Sequence, residues 1–491
     1  MENTIFQRLS DYAASDAVAM HMPGHKRNVP GIAFLEELGA KYDITEIEGF
    51  DDLHHPRGIL RDAMERAARL WKSDASYFLV NGSTCGILAA VRACALLYPN
   101  GKLIMARNCH KSVYNAAELC SLRPLFIQPP QVEDFGFCGS VSPSAVELLV
   151  RENPGTPVII TSPTYEGVIS NIAEIAVICH LYGCPLIVDE AHGAHLGLLG
   201  CFPSGAVAAG ADVVIQSIHK TLTGLTQTGV IHINGGLVPR EAISRQLAVF
   251  ETTSPSYLLM ASIDGTVELI ESSGAKLFSD WQKRLDRFDS MVSPLQKLTI
   301  PGHTLLFDCQ SEQRPGYVRR GVGSGSVYGY DRSKIIISCE GTDKTGVWLM
   351  SSLRESFNIE CEMAAGGYTV AMTGILDSQE GMERLAKALL TLEGEIKRTP
   401  PRIPMAMPKL PPRRMSVCDA LAENTKPLSL WDAAGKISGE YVWAYPPGIP
   451  LVIPGEELTE ELLRSLILQR EAGVSLRSTG GGMPRYISTV L

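Results

Sequence analysis

From residue 59 to about residue 235, short apolar runs alternate with longer helical ones, and this alternation restricts the chain to a helix-covered sheet. The apolar runs are SYFLV (76–80), KLIMAR (102–107), PLFIQ (124–128), PVIITSP (157–163), PLIVDEAH (185–192), DVVIQSI (212–218) and GVIHI (229–233). Between them TCGILAAVRACALL, SVYNAAELC, PSAVELLVREN and IAEIAVICHLYG carry helical spacing. Pro154 closes the third of these helices, and Gly183 stands just past the fourth, where a C-cap belongs. Short apolar strands alternating with helices predict a mostly parallel sheet buried on both faces. In such sheets a ligand lies at the carboxyl ends of the strands. The polar residues of this chain cluster at those ends.

The organisation outside that run is looser. Residues 1–58 read as a polar, irregular N-terminal segment with turns at MPGHKRNVPG and HHPRG. The large domain covers 59–267, with a long helical stretch over roughly 240–275 leading out of it. A small domain over 268–398 mixes strands (TLLFDC, KIIISC, GYTVAM) with helices (TGVWLMSSLRES, GMERLAKALLTLEGEI). A Pro-rich linker spans 399–414, and a C-terminal unit over 415–491 holds the tight segment YPPGIPLVIPGE.

Composition narrows the class. A chain of 491 residues suits two or three domains, and 45% hydrophobic with 20% charged residues is typical of a globular protein. Twelve cysteines form no C-x-x-C pair or zinc series, and several sit in apolar runs, so reduced cytosolic thiols and no metal are expected. The start lacks a signal-peptide pattern, and no apolar run reaches the ~20 residues of a membrane-spanning helix. A net charge of −9 and the lack of a basic tract argue against nucleic acid. They mildly favour a cationic substrate.

Three strand ends carry the chemistry: NGST (81–84), DEAHGAH (189–195) and SIHK (217–220). A lone lysine is ordinarily a solvated surface charge. Lys220 instead follows a buried strand directly, and burial lowers a lysine's pKa until its amine is a usable nucleophile. Asp189 ends the PLIV strand. Alone it would be an ordinary capping carboxylate, but beside such a lysine it suits the pyridine nitrogen of pyridoxal phosphate (PLP), which it would keep protonated. Gly82, Ser83 and Thr84 open a helix whose free N–H groups can take a phosphate, although Ser and Thr cap many helices with no ligand. No G-K-[ST] follows, so this is not a nucleotide P-loop. Ser217 offers another phosphate contact. His110, after the KLIMAR strand, could stack on a flat ring, although a lone histidine is more often structural. The order of these features along one parallel sheet is what points to PLP.

With these residues assembled, the chain resembles the Orn/Lys/Arg decarboxylases, PLP enzymes of the aspartate-aminotransferase fold. The resemblance rests on MHMPGHKR, NGST, DEAHGAHLG, SIHK, TTSPSYLLMASID (252–264) and GEYVWAYPPGIPLVIPGE (439–456). It covers about residues 19–456 and is nearest the compact members, which lack an N-terminal receiver-like domain. It implies PLP fold type I: a mostly parallel, seven-stranded-type sheet covered by helices, a smaller α+β domain and a C-terminal α+β domain. It further implies Lys220 as the Schiff-base lysine, Asp189 as the pyridinium partner and His110 on the ring. Gly82, Ser83, Thr84 and Ser217 would hold the phosphate, and His192 would lie near the ring or its 3′-oxygen. His219 becomes the candidate to protonate the substrate carbon once CO2 leaves, with Lys220 as the alternative. By the same analogy SPSYLLM would reach a neighbouring subunit's site, making the unit at least a homodimer. In TSPTYEG, Glu166 departs from the family, where relatives often carry an aromatic residue.

The expected reaction is decarboxylation of a basic amino acid, with arginine preferred over lysine or ornithine because the compact members resemble biosynthetic arginine decarboxylases. A cationic side chain needs an acidic partner, since an unpaired buried charge costs several kcal/mol. Asp51, Asp52, Glu166 and Glu440 are the candidates, each weighed against being a plain solvated carboxylate. Fold and cofactor do not fix the reaction. An aminotransferase or aldolase is the near alternative, with Arg319, Arg320 or Arg332 available to clamp a carboxylate. A catalytically silent PLP-binding relative is the distant one.

Overall fold

In the computed structural model, the described residues are 4–491 except 24, 27–31, 133, 303–325, 401–408, 446–447 and 484. Each of the seven apolar runs forms a strand: β1 (Ala75–Leu79), β2 (Lys102–Ala106), β3 (Arg123–Ile127), β4 (Val158–Thr161), β5 (Leu186–Asp189), β6 (Val213–Ser217) and β7 (Gly229–Ile233). They make one sheet in the order β1-β7-β6-β5-β4-β2-β3. The pairs β3–β2, β2–β4, β4–β5 and β5–β6 are parallel. Strand β7 is antiparallel to both β6 and β1, so β1 runs with β6 and ends at the same edge. Every residue of β5, β6 and β7 is buried, as the continuous apolar runs require.

The helices follow the same logic. Among them are α1 (Ile5–Ala14), α2 (Ile59–Trp71), α3 (Gly82–Leu97), α4 (Lys111–Leu119), α5 (Pro143–Glu152) and α6 (Ile172–Leu181). Beyond the sheet come α7 (Arg240–Phe250) and α8 (Tyr257–Val292). Helix α3 packs against α4 and α7, α5 against α6, and α1 and α2 against α8. Gly183 takes φ +66° just past α6, a conformation that costs a glycine little.

Two expectations need correction. The first 58 residues are not wholly irregular: α1 is capped by Thr4, buries Ile5 and Leu9 completely, and donates Ile5 N to Asp264 Oδ2 at 2.9 Å. Its apolar pair is one helical turn apart and too short a pattern to stand out. The helical stretch at 240–275 is two helices, because residues 251–256 break it before Ser256 caps α8. Helix α8 then runs unbroken through residue 267, the limit set for the large domain.

The small domain contains an antiparallel sheet of β8 (Lys334–Ser338), β9 (Met363–Ala364) and β10 (Tyr368–Met372), in the order β8-β10-β9. Helices α9 (Gly346–Phe357) and α10 (Gln379–Leu392) pack on each other, and α10 also packs on α8. The TLLFDC strand lies outside the described residues. The C-terminal unit has its own core, including Leu430, Val442, Val452, Leu462, Leu466 and Ile487. Among the described residues no helix is long and apolar enough to cross a membrane.

Candidate active site

Sheet register brings the predicted residues together. Leu79, Gly229 and Ser217 are paired across β1, β7 and β6, so the start of α3 lies beside the end of β6. Ser83 Oγ and Ser217 Oγ are 2.7 Å apart and both residues are buried. Gly82 opens α3 at φ +74°, and its N–H donates to Gln227 O. Asn81 gives α3 no side-chain cap; its Oδ1 accepts from Thr252 N instead. The N–H groups that follow Gly82 in the first turn of α3 therefore have no side-chain cap from Asn81 and can serve another acceptor. Thr84 is exposed beside them.

One helical turn, Ile218–Thr221, follows β6 and carries His219 and Lys220. Lys220 Nζ lies 2.7 Å from His192 Nε2 and 5.5 Å from the Tyr165 ring centroid. The Tyr165 and His192 rings are 4.2 Å apart. Burial lowers the Lys220 pKa, with Lys334 adding to the effect while Asp189 and Glu362 oppose it. Burial holds His192 well below the ordinary histidine value. Its buried Nδ1 has no partner among the described residues. Asp189, 3% exposed, accepts from Ala191 N at 3.1 Å. Burial raises its pKa against the pull of Lys220 and that N–H. His219 donates Nδ1–H to Thr228 O at 2.8 Å, which leaves Nε2 free, and burial lowers its pKa.

His110 accepts Ser112 N on Nδ1, which also lies 2.8 Å from Ser112 Oγ; burial and then Lys220 push its pKa down to about 4. The C-terminal unit reaches this histidine through Gly448, at φ +87°. A Cβ on Gly448 would stand 3.3 Å from His110 Nε2, closer than ordinary contact, and Lys111 N donates to Gly448 O at 3.0 Å. Arg107 anchors the same segment by donating to Pro450 O and Leu451 O and pairing with Glu456 at 3.4 Å.

Beneath His192 lies a buried ion network. Lys334 Nζ donates to His192 O at 2.7 Å, Asp331 Oδ2 at 2.8 Å and Ser333 Oγ at 2.9 Å. His195 Nε2 meets Asp331 Oδ1 at 3.1 Å, and its Nδ1 meets Thr221 Oγ1 at 3.1 Å. This network joins the small domain to both the His192 turn and the Lys220 turn.

The four carboxylates suggested for a cationic substrate do not gather here. Asp51 accepts from Arg57 N, Gly58 N and Leu60 N, capping α2. Asp52 accepts from His54 N and meets His55 Nδ1. Glu440 accepts from Gly480 N and Ser488 N within the C-terminal unit. Glu166 is buried and accepts from Tyr368 OH at 2.8 Å. Each of the four thus holds local structure through these bonds. A further acidic residue near the site is Glu362, half-buried just before β9, which accepts from Tyr165 OH at 2.7 Å. Tyr165 follows β4 closely and was open to the strand-end rule. Glu362 and Lys334 arrive from the small domain with no motif to announce them.

Of the arginines considered for a carboxylate clamp, Arg332 is paired with Asp286 and Asp289, and Arg319 and Arg320 lie outside the described residues. In SPSYLLM, Tyr257 is fully buried in its own chain, with its OH donating to Asp51 O. The exposed part of this stretch is Thr253–Ser254.

The chain is similar to known proteins over most of its length. Residues 3–348 match the model "Orn/Lys/Arg decarboxylase, major domain", and residues 405–473 match "Orn/Lys/Arg decarboxylase, C-terminal domain". The arginine decarboxylase of Bacillus subtilis (strain 168) is 31% identical over 97% of this chain and 95% of its own. That of Halalkalibacterium halodurans is 30% identical over the same shares. Among solved structures, the constitutive lysine decarboxylase of E. coli superposes with a TM-score of 0.76 at 20% identity, covering 99% of this chain and 82% of its own. Lysine decarboxylase A from Pseudomonas aeruginosa gives 0.77 at 18% identity, over 100% and 80%. These two show a shared fold.

Proposed function

This chain belongs to the Orn/Lys/Arg decarboxylase family, and from that premise we propose that it is a PLP-dependent decarboxylase of basic amino acids, arginine first. The observation that carries the reading is the meeting of Lys220, His192 and Asp189 at the carboxyl ends of β5 and β6.

The residues fit the cofactor. Lys220 offers a buried amine whose lowered pKa suits covalent attachment. The uncapped start of α3, with Ser83, Thr84 and Ser217, suits a phosphate. Asp189 suits a protonated ring nitrogen, which would offset the cost of burying that carboxylate. The unsatisfied His192 Nδ1 is a polar atom still awaiting a partner. PLP supplies the electron sink that takes up the charge left on the α-carbon when CO2 departs.

The chain's own residues supply orientation and proton handling. His110 covers one side of the site, backed by Gly448 of the C-terminal unit. His192 keeps Lys220 aimed through their hydrogen bond. Thr228 O fixes His219 through Nδ1, so any proton His219 returns to the α-carbon must leave from Nε2. Lys220 is the other group able to return it.

Arginine is favoured because the compact relatives named above are arginine decarboxylases. The thiols of Cys85, Cys94, Cys109, Cys179 and Cys184 are unoxidised and buried, which supports the proposed cytosolic placement. The homodimer is proposed by analogy, with the exposed Thr253–Ser254 stretch as its contact with a neighbouring site. The test is CO2 and amine release from arginine, lysine and ornithine by the PLP-loaded protein. Amine from arginine is expected, and no CO2 from any of the three contradicts the reading.

A further inference from the structure

The start of α3 can hold a phosphate only if the chain leading into it is fixed, because its donors are backbone N–H groups. Val80 and Asn81 make that lead from β1, and three groups outside it hold them. Val80 N donates to Glu251 Oε1 at 2.6 Å. Val80 O accepts from Gln227 Nε2 at 2.7 Å. Asn81 Oδ1 accepts from Thr252 N at 3.2 Å. Glu251 is the ionisable member of this set. It follows α7 directly, is 6% exposed and shares a small cleft with Met64, Phe78 and Leu247. It has no ion-pair partner among the described residues, and no step of the decarboxylation uses it. His54 lines the same cleft but donates Nε2–H to Thr252 O at 2.9 Å. Tyr77 lines it too, and Cys85 in the first turn of α3 feels the Glu251 charge; burial raises the pKa of both. Burial likewise raises the Glu251 pKa to about 7, against the Val80 and Asn81 N–H groups.

We propose that Glu251 is a positioning residue for the cofactor phosphate: it pins the Val80–Asn81 stretch from behind and so aims the N–H groups that follow Gly82 in α3. The assignment rests on the PLP reading above. The charge state of the residue then matters. A carboxylate behind the first turn of α3 repels a phosphate, and a protonated carboxyl does not. Phosphate capture should therefore weaken as pH rises through about 7.

The test sets PLP against pyridoxal, which has the same ring and aldehyde but no phosphate. Both affinities are read by titrating the visible band, so their ratio reports the phosphate site. Glu251→Ala should lower the PLP-to-pyridoxal affinity ratio about tenfold to a hundredfold, with pyridoxal affinity close to wild type. Glu251→Gln keeps an acceptor for Val80 N and loses the charge, which covers the case of a poorly folded Ala variant. Its ratio should match wild type at about pH 6 and exceed it roughly threefold to tenfold at about pH 8.5. An unchanged ratio in Glu251→Ala, or equal loss of both affinities, overturns the assignment. So do wild-type and Glu251→Gln ratios that run parallel across that pH range. Wild-type protein that gains a visible band with neither compound overturns the PLP reading and this assignment together.

Discussion

Lys220 Nζ and His192 Nε2 share a hydrogen bond of 2.7 Å, although the two residues come from different strand ends. Both groups are pushed towards their neutral forms by burial. The site thus disfavours charge on either group, which suits a lysine that must react as a nucleophile.

His192 should accordingly matter to cofactor capture. Removing one partner of a buried hydrogen bond costs about 1–3 kcal/mol. His192→Ala is predicted to weaken PLP binding about tenfold to a hundredfold, measured by titrating the visible band. Unchanged affinity would mean that the imidazole only fills space.

His219 and Lys220 compete for the role of proton donor to the α-carbon. His219→Asn preserves a donor for Thr228 O but removes the free ring nitrogen. If His219 is the donor, kcat falls about 10²–10⁴-fold while the cofactor band stays. A fall of only a few-fold would give the step to Lys220.

The Lys334–Asp331 pair is a structural requirement. Lys334 is 1% exposed, and its loss would leave Asp331 with His195 and Ser333 as its remaining partners. Breaking one side of a buried pair costs about 3–5 kcal/mol. Lys334→Met should lower the unfolding free energy by that order in a denaturant titration, and should disturb the His192 turn as well.

Glu190 gives a pH signature. Burial pushes its carboxyl from the ordinary 4.5 up to about 8, against hydrogen bonds from Gln216 Nε2 and Ala206 N. The folded state thus keeps a proton that the unfolded chain releases. That stability is complete below about pH 4.5 and is lost as pH rises towards 8. The wild-type Tm should fall between about pH 5 and 8, and Glu190→Gln should flatten that fall. Parallel Tm curves for the two proteins would contradict it.

The large domain was legible because strand-forming runs buried on both faces are continuous in sequence, and the ligand edge follows from their direction. Asp189, Ser217 and Lys220 could thus be placed from strand ends alone. The antiparallel course of β7 carries no such mark, since its residues look like those of β6. Helix α1 escaped notice because Ile5 and Leu9 acquire meaning only against α8. Glu440 drew attention inside a family-like segment, but its bonds to Gly480 N and Ser488 N, 40 and 48 residues away, could not be read there. Glu362 was illegible because it reaches Tyr165 across 197 residues of chain, a proximity that no local pattern encodes.

The central claim is that Lys220 carries the cofactor. Borohydride reduction of the PLP-loaded protein, followed by peptide mass mapping, would fix the cofactor to whichever lysine holds it. The account predicts a pyridoxyl mass on the peptide containing Lys220, and its loss together with the visible band in Lys220→Ala. The same mass on another lysine, Lys334 included, or on none, would contradict the account.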